Sequence, residues 1–316
     1  MIRDRWEYVR AETLAGALTL LASRSDAYPL AGGTDLVIAG RLGRIRGGVA
    51  VDISAVPELQ GITAFPTEAG GVRLRIGAAT TVSALLQDEL VQQKLPALVD
   101  AGRLLGGWQI QNLATVGGNM CNASPSAELS PPLLVHRAEA VIAGPEGSRR
   151  LGVDRFWTGP GKTALARGEL LVAVELETGG ASAYVRHQIR RSVDIALASA
   201  AAWVSVEDER IAGARLALGA VAPAPLLVDV AEEVAGVPVR QAPGKEPDDP
   251  GAFGPALAKR LQRVERLAFA AARPITDVRA SADYRRAVVG VLARRALLRA
   301  VQRALAVSED VETRSG

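Results

Sequence analysis

The chain has 316 residues, room for two or three domains. Of these, 48% are hydrophobic and 22% charged, the balance of a folded globular protein and not of a disordered one. Basic and acidic residues nearly cancel, 37 against 34, for a net charge of +3. That argues against nucleic acid as the main partner, because phosphate recognition wants a concentrated basic patch. The single cysteine, Cys121, can neither close an internal disulfide nor supply the four thiolates of an iron–sulfur cluster. With His136 and His187 as the only histidines, a His/Cys zinc site is all but excluded.

The N-terminal run Met1-Ile2-Arg3-Asp4-Arg5-Trp6-Glu7 is charged from the start and has no apolar signal core. The longest apolar stretch, Ile195 to Val206, is too short to span a bilayer and contains Ser199 and Ser205. Both features are those expected of a cytoplasmic protein. In chain order, Tyr8-Val9-Arg10 reads as a short extended piece. Thr13 then caps a helix with Leu14, Leu18 and Leu21 at helical spacing. Tyr28 to Ala31 is a strand candidate that runs into Gly32-Gly33-Thr34-Asp35, with a helix over Leu36 to Ala39. Val49 to Ile53 alternates as a strand.

A second segment begins near Leu59. Gly71 to Gly77 alternates cleanly and predicts a half-buried strand; Thr80-Thr81 starts a capped helix, and Leu95 to Leu105 forms another that Gly106-Gly107 ends. From Leu113 to Pro132 the density of Gly, Asn, Ser and Pro predicts a long loop, and long loops in compact domains are often functional. Strands return at Ala138 to Ala143 and Leu170 to Leu176. A third segment from Gly179 holds three strands of an antiparallel sheet, at Tyr184 to His187, Ala201 to Val206 and Gly213 to Gly219. Helices follow at Glu232 to Val234, Ala256 to Ala272 and Ser281 to Leu305, with a Pro/Gly/Asp-rich loop at Pro243 to Pro255.

Two glycine-rich turns carry the chemistry: Ala31-Gly32-Gly33-Thr34-Asp35 and Thr115-Val116-Gly117-Gly118-Asn119. Glycine lets a phosphate approach the main-chain amides with no Cβ in the way. A helix that starts just after such a turn aims unpaired N–H groups and its dipole at an anion. Thr34 and Thr115 add hydroxyl donors, so the pair could cradle the two phosphates of one dinucleotide. A single Gly-Gly turn is more often only a turn. Neither turn fits the Gly-x-Gly-x-x-Gly fingerprint or the Lys-Ser/Thr phosphate loop, so a Rossmann site and an ATPase are unsupported.

Several runs together are more specific. They are Pro29 to Leu36, Gly77-Ala78-Ala79-Thr80-Thr81, Ala114 through Cys121 to Glu128, Gly159 to Leu165, Gly168-Glu169-Leu170-Leu171, Asp194-Ile195-Ala196 and Ser281 to Arg286. On these runs the whole chain resembles the FAD-binding medium subunit of the molybdenum hydroxylases, the group of xanthine dehydrogenase and aerobic carbon monoxide dehydrogenase. The resemblance implies an α+β fold. A two-lobed FAD-binding domain of the PCMH type is expected over 1–177, with lobes 1–58 and 59–177. A small C-terminal domain of antiparallel sheet plus helices would follow over 178–306, with a tail at 307–316. It also implies that Ala31, Gly32, Gly33, Thr34, Asp35 and Leu36 hold the FAD pyrophosphate together with Thr115, Val116, Gly117, Gly118 and Asn119, with Leu30 and Asn122 also binding the cofactor. Glu128, where the family usually has Asp, would accept a hydrogen bond toward the adenosine side. Leu170 and Leu105 would lie near the flavin, and Arg186 beside its ring, where a cation stabilises reduced, anionic flavin. No side chain is expected to act on the organic substrate.

Two departures stand out. Gln111-Asn112-Leu113 stands where many relatives have Arg-Asn-Arg, so phosphate binding must lean on amides and hydroxyls. Gly33-Thr34-Asp35 looks more like the xanthine-dehydrogenase side of the family than the carbon-monoxide side. The resemblance further implies a large molybdopterin subunit and a small subunit with two [2Fe–2S] clusters, assembled as a dimer of heterotrimers. Electrons would pass through FAD here to NAD+, O2 or another acceptor. The shortage of cysteine fits clusters carried on another chain. A stand-alone FAD-dependent reductase of the cell-wall precursor type is the alternative, and a cofactor-free scaffold the third reading. Of the other candidates, His136 reads as a packed histidine, Cys121 as a small hydrophobe, and Asp194 as a cap or partner for Arg190 or Arg191. Arg294, Arg295, Arg299 and Arg303 read as a solvated helix face.

Overall fold

A computed structural model describes residues 6–67, 70–241, 249 and 251–315, with side chains of the last helix described to residue 306. Most of the loop expected at 243–255 therefore lies outside the described residues. The chain groups into two units: residues 1–88, 105–124 and 137–177 form one, and 89–104, 125–136 and 178–316 the other.

The first unit holds two sheets. Strands β1 (Trp6–Arg10), β2 (Ala27–Leu30) and β3 (Gly48–Asp52) make a parallel three-stranded sheet in the order β1-β3-β2. Thr13 caps the helix Leu14–Ser23, its hydroxyl accepting from the Gly16 amide at 3.1 Å. That helix buries Ala17 and Leu21 against Val49 and Val51 of β3. Strands β4 (Ile62–Pro66), β5 (Val72–Gly77), β6 (Glu139–Gly144), β7 (Gly147–Gly152) and β10 (Leu170–Glu177) form an antiparallel sheet in the order β4-β5-β10-β6-β7. In β5 the alternation predicted from sequence puts Leu74 and Ile76 fully inside. Between β7 and β10, β8 (Trp157–Gly159) and β9 (Lys162–Thr163) form a small hairpin. Leu170 and Val172 of β10 reach the same core as the parallel sheet, so one apolar body joins the two sheets.

Sequence patterning does not single out β4 or β7. The latter reads Gly-Ser-Arg-Arg-Leu-Gly and has no apolar alternation, because it is an edge strand exposed along most of its length. Its arginines reach past the neighbouring strand to carboxylates of and just before β10: Arg149 pairs with Glu169 at 2.7 Å and Arg150 with Glu175. The stretch from Leu113 to Pro132, expected as loop, contains two short helices in the structure. Val116–Cys121 is capped by Thr115, whose hydroxyl accepts from the Gly118 amide at 3.0 Å. Ser130–Val135 belongs to the second unit and carries prolines in its first turn, where a missing N–H costs no helical bond.

In the second unit, β11 (Ala181–His187), β12 (Ala198–Glu207), β13 (Arg210–Gly219) and β14 (Leu226–Val228) form an antiparallel sheet in that order. Three of these strands are the ones expected from sequence, and β14 is an addition. The helices Pro255–Ala271 and Ala282–Ser315 bury Leu257, Leu261, Val264, Leu292, Ala296 and Leu297 in one core with the sheet. β12 is alanine-rich because it is covered on both faces: Ala198, Ala200, Ala201 and Ala202 are fully buried. The long apolar stretch that begins at Ile195 is thus largely this strand. Among the described residues no helix is long and apolar enough to cross a membrane.

The arginines of the last helix divide. Arg295 and Arg299 are exposed, as a solvated face requires. Arg303 instead donates to Asp100 at 2.7 and 2.9 Å and to the Ser182 carbonyl, while Arg294 pairs with Glu265. A polar face read from spacing alone cannot tell which of its members meet a carboxylate from a distant segment. His136 is buried and packed, its Nε2 2.9 Å from the Ser182 hydroxyl. Asp194 accepts from the amides of Ile189, Arg190 and Ile195 at 2.8, 2.8 and 2.9 Å, closing its loop.

Candidate functional site: a glycine-walled cleft in the first unit

Both glycine turns open onto one cleft of about 310 Å³, which lies wholly within the first unit. The first turn contributes Ala31 to Leu36; the second contributes Thr115, Gly117 and Gly118, followed by Cys121 and Asn122. Glu169, Leu170 and Leu171, where β10 begins, form a further part of the wall. The turns are pressed against each other. A Cβ at Gly32 would collide with the Leu113 carbonyl, so only glycine lets the first turn lie against the segment leading into the second. Gly33 has φ +70°, the left-handed region that favours glycine.

The turns differ in what their amides do. Among the described residues, no protein acceptor meets the N–H groups of Gly32, Gly33, Thr34, Asp35 and Leu36. Five successive main-chain donors thus stand unpaired along the cleft wall, the makings of an anion nest. In the second turn the amides are spent. Val116 donates to the Thr80 carbonyl at 3.0 Å and Gly117 to that of Ala78 at 2.8 Å; Gly118 donates to the Thr115 hydroxyl, and Asn119 to the Thr115 carbonyl at 3.0 Å. The expectation that both turns lend main-chain N–H groups therefore describes the first alone. Gly117 serves packing instead: a Cβ there would sit 2.7 Å from both Cβ and O of Ala78. What this segment can offer a ligand is the Thr115 hydroxyl proton and the side-chain amide proton of Asn122 that Asp35 does not accept, since the Asn122 main-chain N–H donates to the Gly118 carbonyl at 3.0 Å.

Among the described residues no lysine or arginine lines the cleft. Its carboxylates are Asp35 and Glu169. The Asp35 carboxyl lies 3.2 Å from the Asn122 side-chain amide, and burial raises it above the ordinary aspartate value. Glu169 is held below the ordinary glutamate range, chiefly by its two hydrogen bonds from Arg149. Burial pushes the Cys121 thiol up to about 12, so it is neutral at physiological pH and lends no reactive thiolate. An anion with many oxygen acceptors and an apolar body suits such a wall of amides, hydroxyls and aliphatic side chains.

The remaining predicted residues fall elsewhere. Leu30 is half-buried, its Cδ1 near the Cβ position of Gly33; Val116 is fully buried and Asn119 half-buried, and these three are not in the cleft lining. Leu105 is buried, with its carbonyl accepting from Gln111 Nε2 at 3.1 Å. Glu128 and Arg186 lie in the second unit and bind each other. Arg186 donates to Glu128, and so does the Tyr184 hydroxyl, all three side chains being buried. Burial lifts Glu128 above the ordinary glutamate value, opposed by Arg186 and the Tyr184 hydroxyl. Sequence reasoning had no role for Tyr184, because only the antiparallel register of β11 and the fold of residues 125–136 bring it to Glu128. Ala39, Ile45, Ile53, Ala78 and Leu165 also line the cleft without having been singled out. Ala78 and Leu165 lie within the family-like runs, whereas Ile45 and Ile53 carry no local signal.

Comparison with known proteins gives this cleft its context. A family model described as the FAD-binding domain in molybdopterin dehydrogenase matches residues 4–176, which include every residue of the cleft. The chain belongs to this family. A second model, the CO dehydrogenase flavoprotein C-terminal domain, matches residues 183–241. The chain is 39% identical over 236 residues to the putative xanthine dehydrogenase FAD-binding subunit of Escherichia coli K12, covering 73% of this chain and 80% of that one. It is 32% identical over 309 residues to the carbon monoxide dehydrogenase medium chain of Afipia carboxidovorans, covering 96% and 99%. Among solved structures, the Cu,Mo-CO dehydrogenase superposes with a TM-score of 0.85 at 29% identity, over 96% of this chain and 100% of that one. This FAD-binding chain is thus an oxidoreductase subunit, and in its family molybdenum and iron–sulfur groups reside on other subunits.

Proposed function

We propose that the chain is the FAD-carrying electron-transfer subunit of a molybdenum hydroxylase complex. In this reading a large subunit oxidises an organic substrate at molybdopterin, and a small subunit relays electrons through its [2Fe–2S] clusters. FAD on this chain then passes them to NAD+, O2 or another acceptor. FAD supplies the step that clusters cannot perform, accepting electrons singly and releasing them as a pair. The observation that carries the reading is the run of five unpaired amides from Gly32 to Leu36 along a cleft with no Cβ at Gly32 or Gly33.

These amides take the diphosphate oxygens, with the hydroxyls of Thr34 and Thr115 and the side-chain amide of Asn122 completing the donor set. Amides replace the two arginines that many relatives carry just before the second turn. Leu170, Leu36 and Ala39 offer the apolar wall that keeps water from the cofactor. Glu128 and Arg186 form a neutralised pair, so any stabilisation of reduced flavin by Arg186 is tempered by its carboxylate partner. No acid or base on this chain needs to touch the organic substrate.

The test is reconstitution of the purified full chain with FAD. Expected is one equivalent of bound flavin with no turnover of small organic substrates, and hydroxylase activity once the two partner subunits are added. Substrate turnover by the lone chain would make it a stand-alone reductase. Absence of flavin absorbance after reconstitution would leave a scaffold without cofactor.

A further inference from the structure

The run Gly168-Glu169-Leu170-Leu171 places a second carboxylate in the wall of a cleft suited to an anion. Glu169 stands where the loop after β9 enters β10, and its side chain is 14% exposed. Arg149 of the edge strand β7 binds it as a fork: Nε donates to Oε1 and Nη2 to Oε2, both at 2.7 Å. The same Nη2 donates to the Ala164 carbonyl at 2.9 Å. Glu169 Oε2 also accepts from the Ala166 amide at 2.7 Å, while the Glu169 amide donates to the Ala166 carbonyl at 3.1 Å. Ala164 and Ala166 are thus both anchored, and Leu165 between them lines the cleft.

An ion pair on an exposed edge strand ordinarily contributes little. Here one member is mostly buried and belongs to the cleft wall, whereas Arg149 is outside the lining. A bare carboxylate in that wall would repel an anionic ligand; the guanidinium cancels its charge without taking space in the cleft. Asp35, the other carboxylate of the lining, gives the contrast, because among the described residues its side chain meets only the uncharged Asn122 amide. The remaining ionisable groups around Glu169 are the neutral Cys121 in the lining, the exposed Glu146 in the turn before β7 and the exposed Arg167 in the loop itself. The helix Leu14–Ser23, against which Gly168 packs through Ala22, has no ionisable side chain. Arg149 is therefore the charge that decides the state of Glu169.

We propose that Arg149 is a positioning residue for the cofactor and acts through Glu169, neutralising that carboxylate and fixing the loop that sets Leu165 in the cleft wall. This rests on the FAD reading above and adds a residue, itself outside the cleft, on which cofactor affinity depends.

The test is fluorescence titration of the full chain with FAD, read as the ratio of each variant's Kd to that of the wild type at the same pH. Asp35 is present in both, so its own titration cancels. In Arg149→Leu the ratio should be about tenfold at about pH 8 and fall toward one near about pH 4.5. The sign follows from the lost fork: an uncovered Glu169 is no longer held below the ordinary glutamate range, so it takes up a proton as pH falls and its repulsion ends. Adding Glu169→Gln to Arg149→Leu should bring the ratio within about threefold of one at every pH, because the amide still accepts from Ala166 and carries no charge. Arg149→Lys, which keeps the cation but not the fork, should give a small ratio that does not change with pH. Should Arg149→Leu not fold, Arg149→Gln carries the same test. A ratio of one for the neutral variant overturns the proposal. So does a ratio equally high at all pH values that Glu169→Gln fails to rescue, which would make the pair a structural brace alone. A wild-type chain that takes up no FAD refutes the cofactor reading itself; one that takes up FAD, with variants that bind it equally well, refutes the role of Arg149 alone.

Discussion

The turns Ala31–Asp35 and Thr115–Asn119 are matched in length and both carry a Gly-Gly pair and a threonine; the first precedes the six-residue helix Leu36–Arg41, whereas the second caps and enters the six-residue helix Val116–Cys121. The first keeps its amides free from Gly32 to Leu36, whereas the second spends every amide from Val116 to Asn119 on carbonyls or on the Thr115 hydroxyl. The reason is position. The second turn is clamped to the chain leaving β5, where the carbonyls of Ala78 and Thr80 reach it, and the first turn has no such neighbour. Glycine thus serves ligand access and close approach in one place, and helix-to-backbone packing in the other. Composition cannot separate these uses; the hydrogen-bond ledger can.

The comparison is most easily broken at the two glycines. In Gly32→Ala the new methyl meets a main-chain carbonyl that cannot rotate away, so the donor run itself must move. FAD affinity should fall by about tenfold to 100-fold, the equivalent of an overpacking cost of about 1–3 kcal/mol. Flavin fluorescence titration measures it, and an unchanged Kd would remove the first turn from the site. Gly117→Ala puts a methyl 2.7 Å from Ala78 and should cost about 1–3 kcal/mol of stability. For a unit of this size that is about 2–4 °C of melting temperature per kcal/mol. Its folded fraction should keep FAD affinity within a few-fold of wild type. If both substitutions lose FAD equally, the turns are equivalent after all.

The threonines sharpen the same contrast at lower amplitude. Thr115→Val deprives the Gly118 amide of its acceptor and should destabilise the protein by about 1 kcal/mol, as cap removals do. Among the described residues Thr34 has no hydrogen-bond partner, so Thr34→Val should leave the melting temperature unchanged. It should weaken FAD by about threefold to tenfold, one hydrogen bond's worth. Calorimetry and flavin titration on both variants would show whether Thr34 affects affinity alone while Thr115, whose hydroxyl both accepts from Gly118 and belongs to the proposed donor set, affects stability and affinity together.

Much of this was legible before any coordinates. Thr13 as a cap, the alternation of β5, the three strands between Tyr184 and Gly219 and the final helix all follow from local rules about period and capping. The resemblance picked out both turns. What stayed hidden depends on partners distant in sequence. β7 is the exception: its partner β6 is its hairpin neighbour, Gly144 opposite Gly147, and it escaped notice because its polar sequence suits an edge. The carbonyls that consume the second turn's amides sit at Ala78 and Thr80, more than thirty residues upstream. Arg303 meets Asp100 across two hundred residues, so helical spacing alone assigned it to solvent. Ile53 reaches the cleft because the parallel sheet brings the end of β3 beside the first turn, and Ile45 because it follows the helix Leu36–Arg41 that walls the cleft.

The smallest expected effect concerns charge. Asp35 belongs to the donor-rich turn, yet its carboxylate faces the same cleft and would oppose the diphosphate proposed to bind there. Burial raises it above the ordinary aspartate value, so the carboxylate is less favoured here than in a free aspartate. As pH falls through that raised value the carboxyl gains its proton, the repulsion ends, and FAD should bind a few-fold more tightly. As pH rises the proton leaves and affinity returns to its lower level. Asp35→Asn should hold the tighter affinity at neutral pH and flatten the dependence, since an amide carries no charge to lose. The Asn122 amide, 3.2 Å from Asp35 Oδ1, is an acid-insensitive partner that stays with either residue. Titration of FAD fluorescence between pH 4 and 7 in the wild type and Asp35→Asn decides the matter. A variant that binds FAD more weakly would show that Asp35 positions the free amides instead of opposing the ligand they hold.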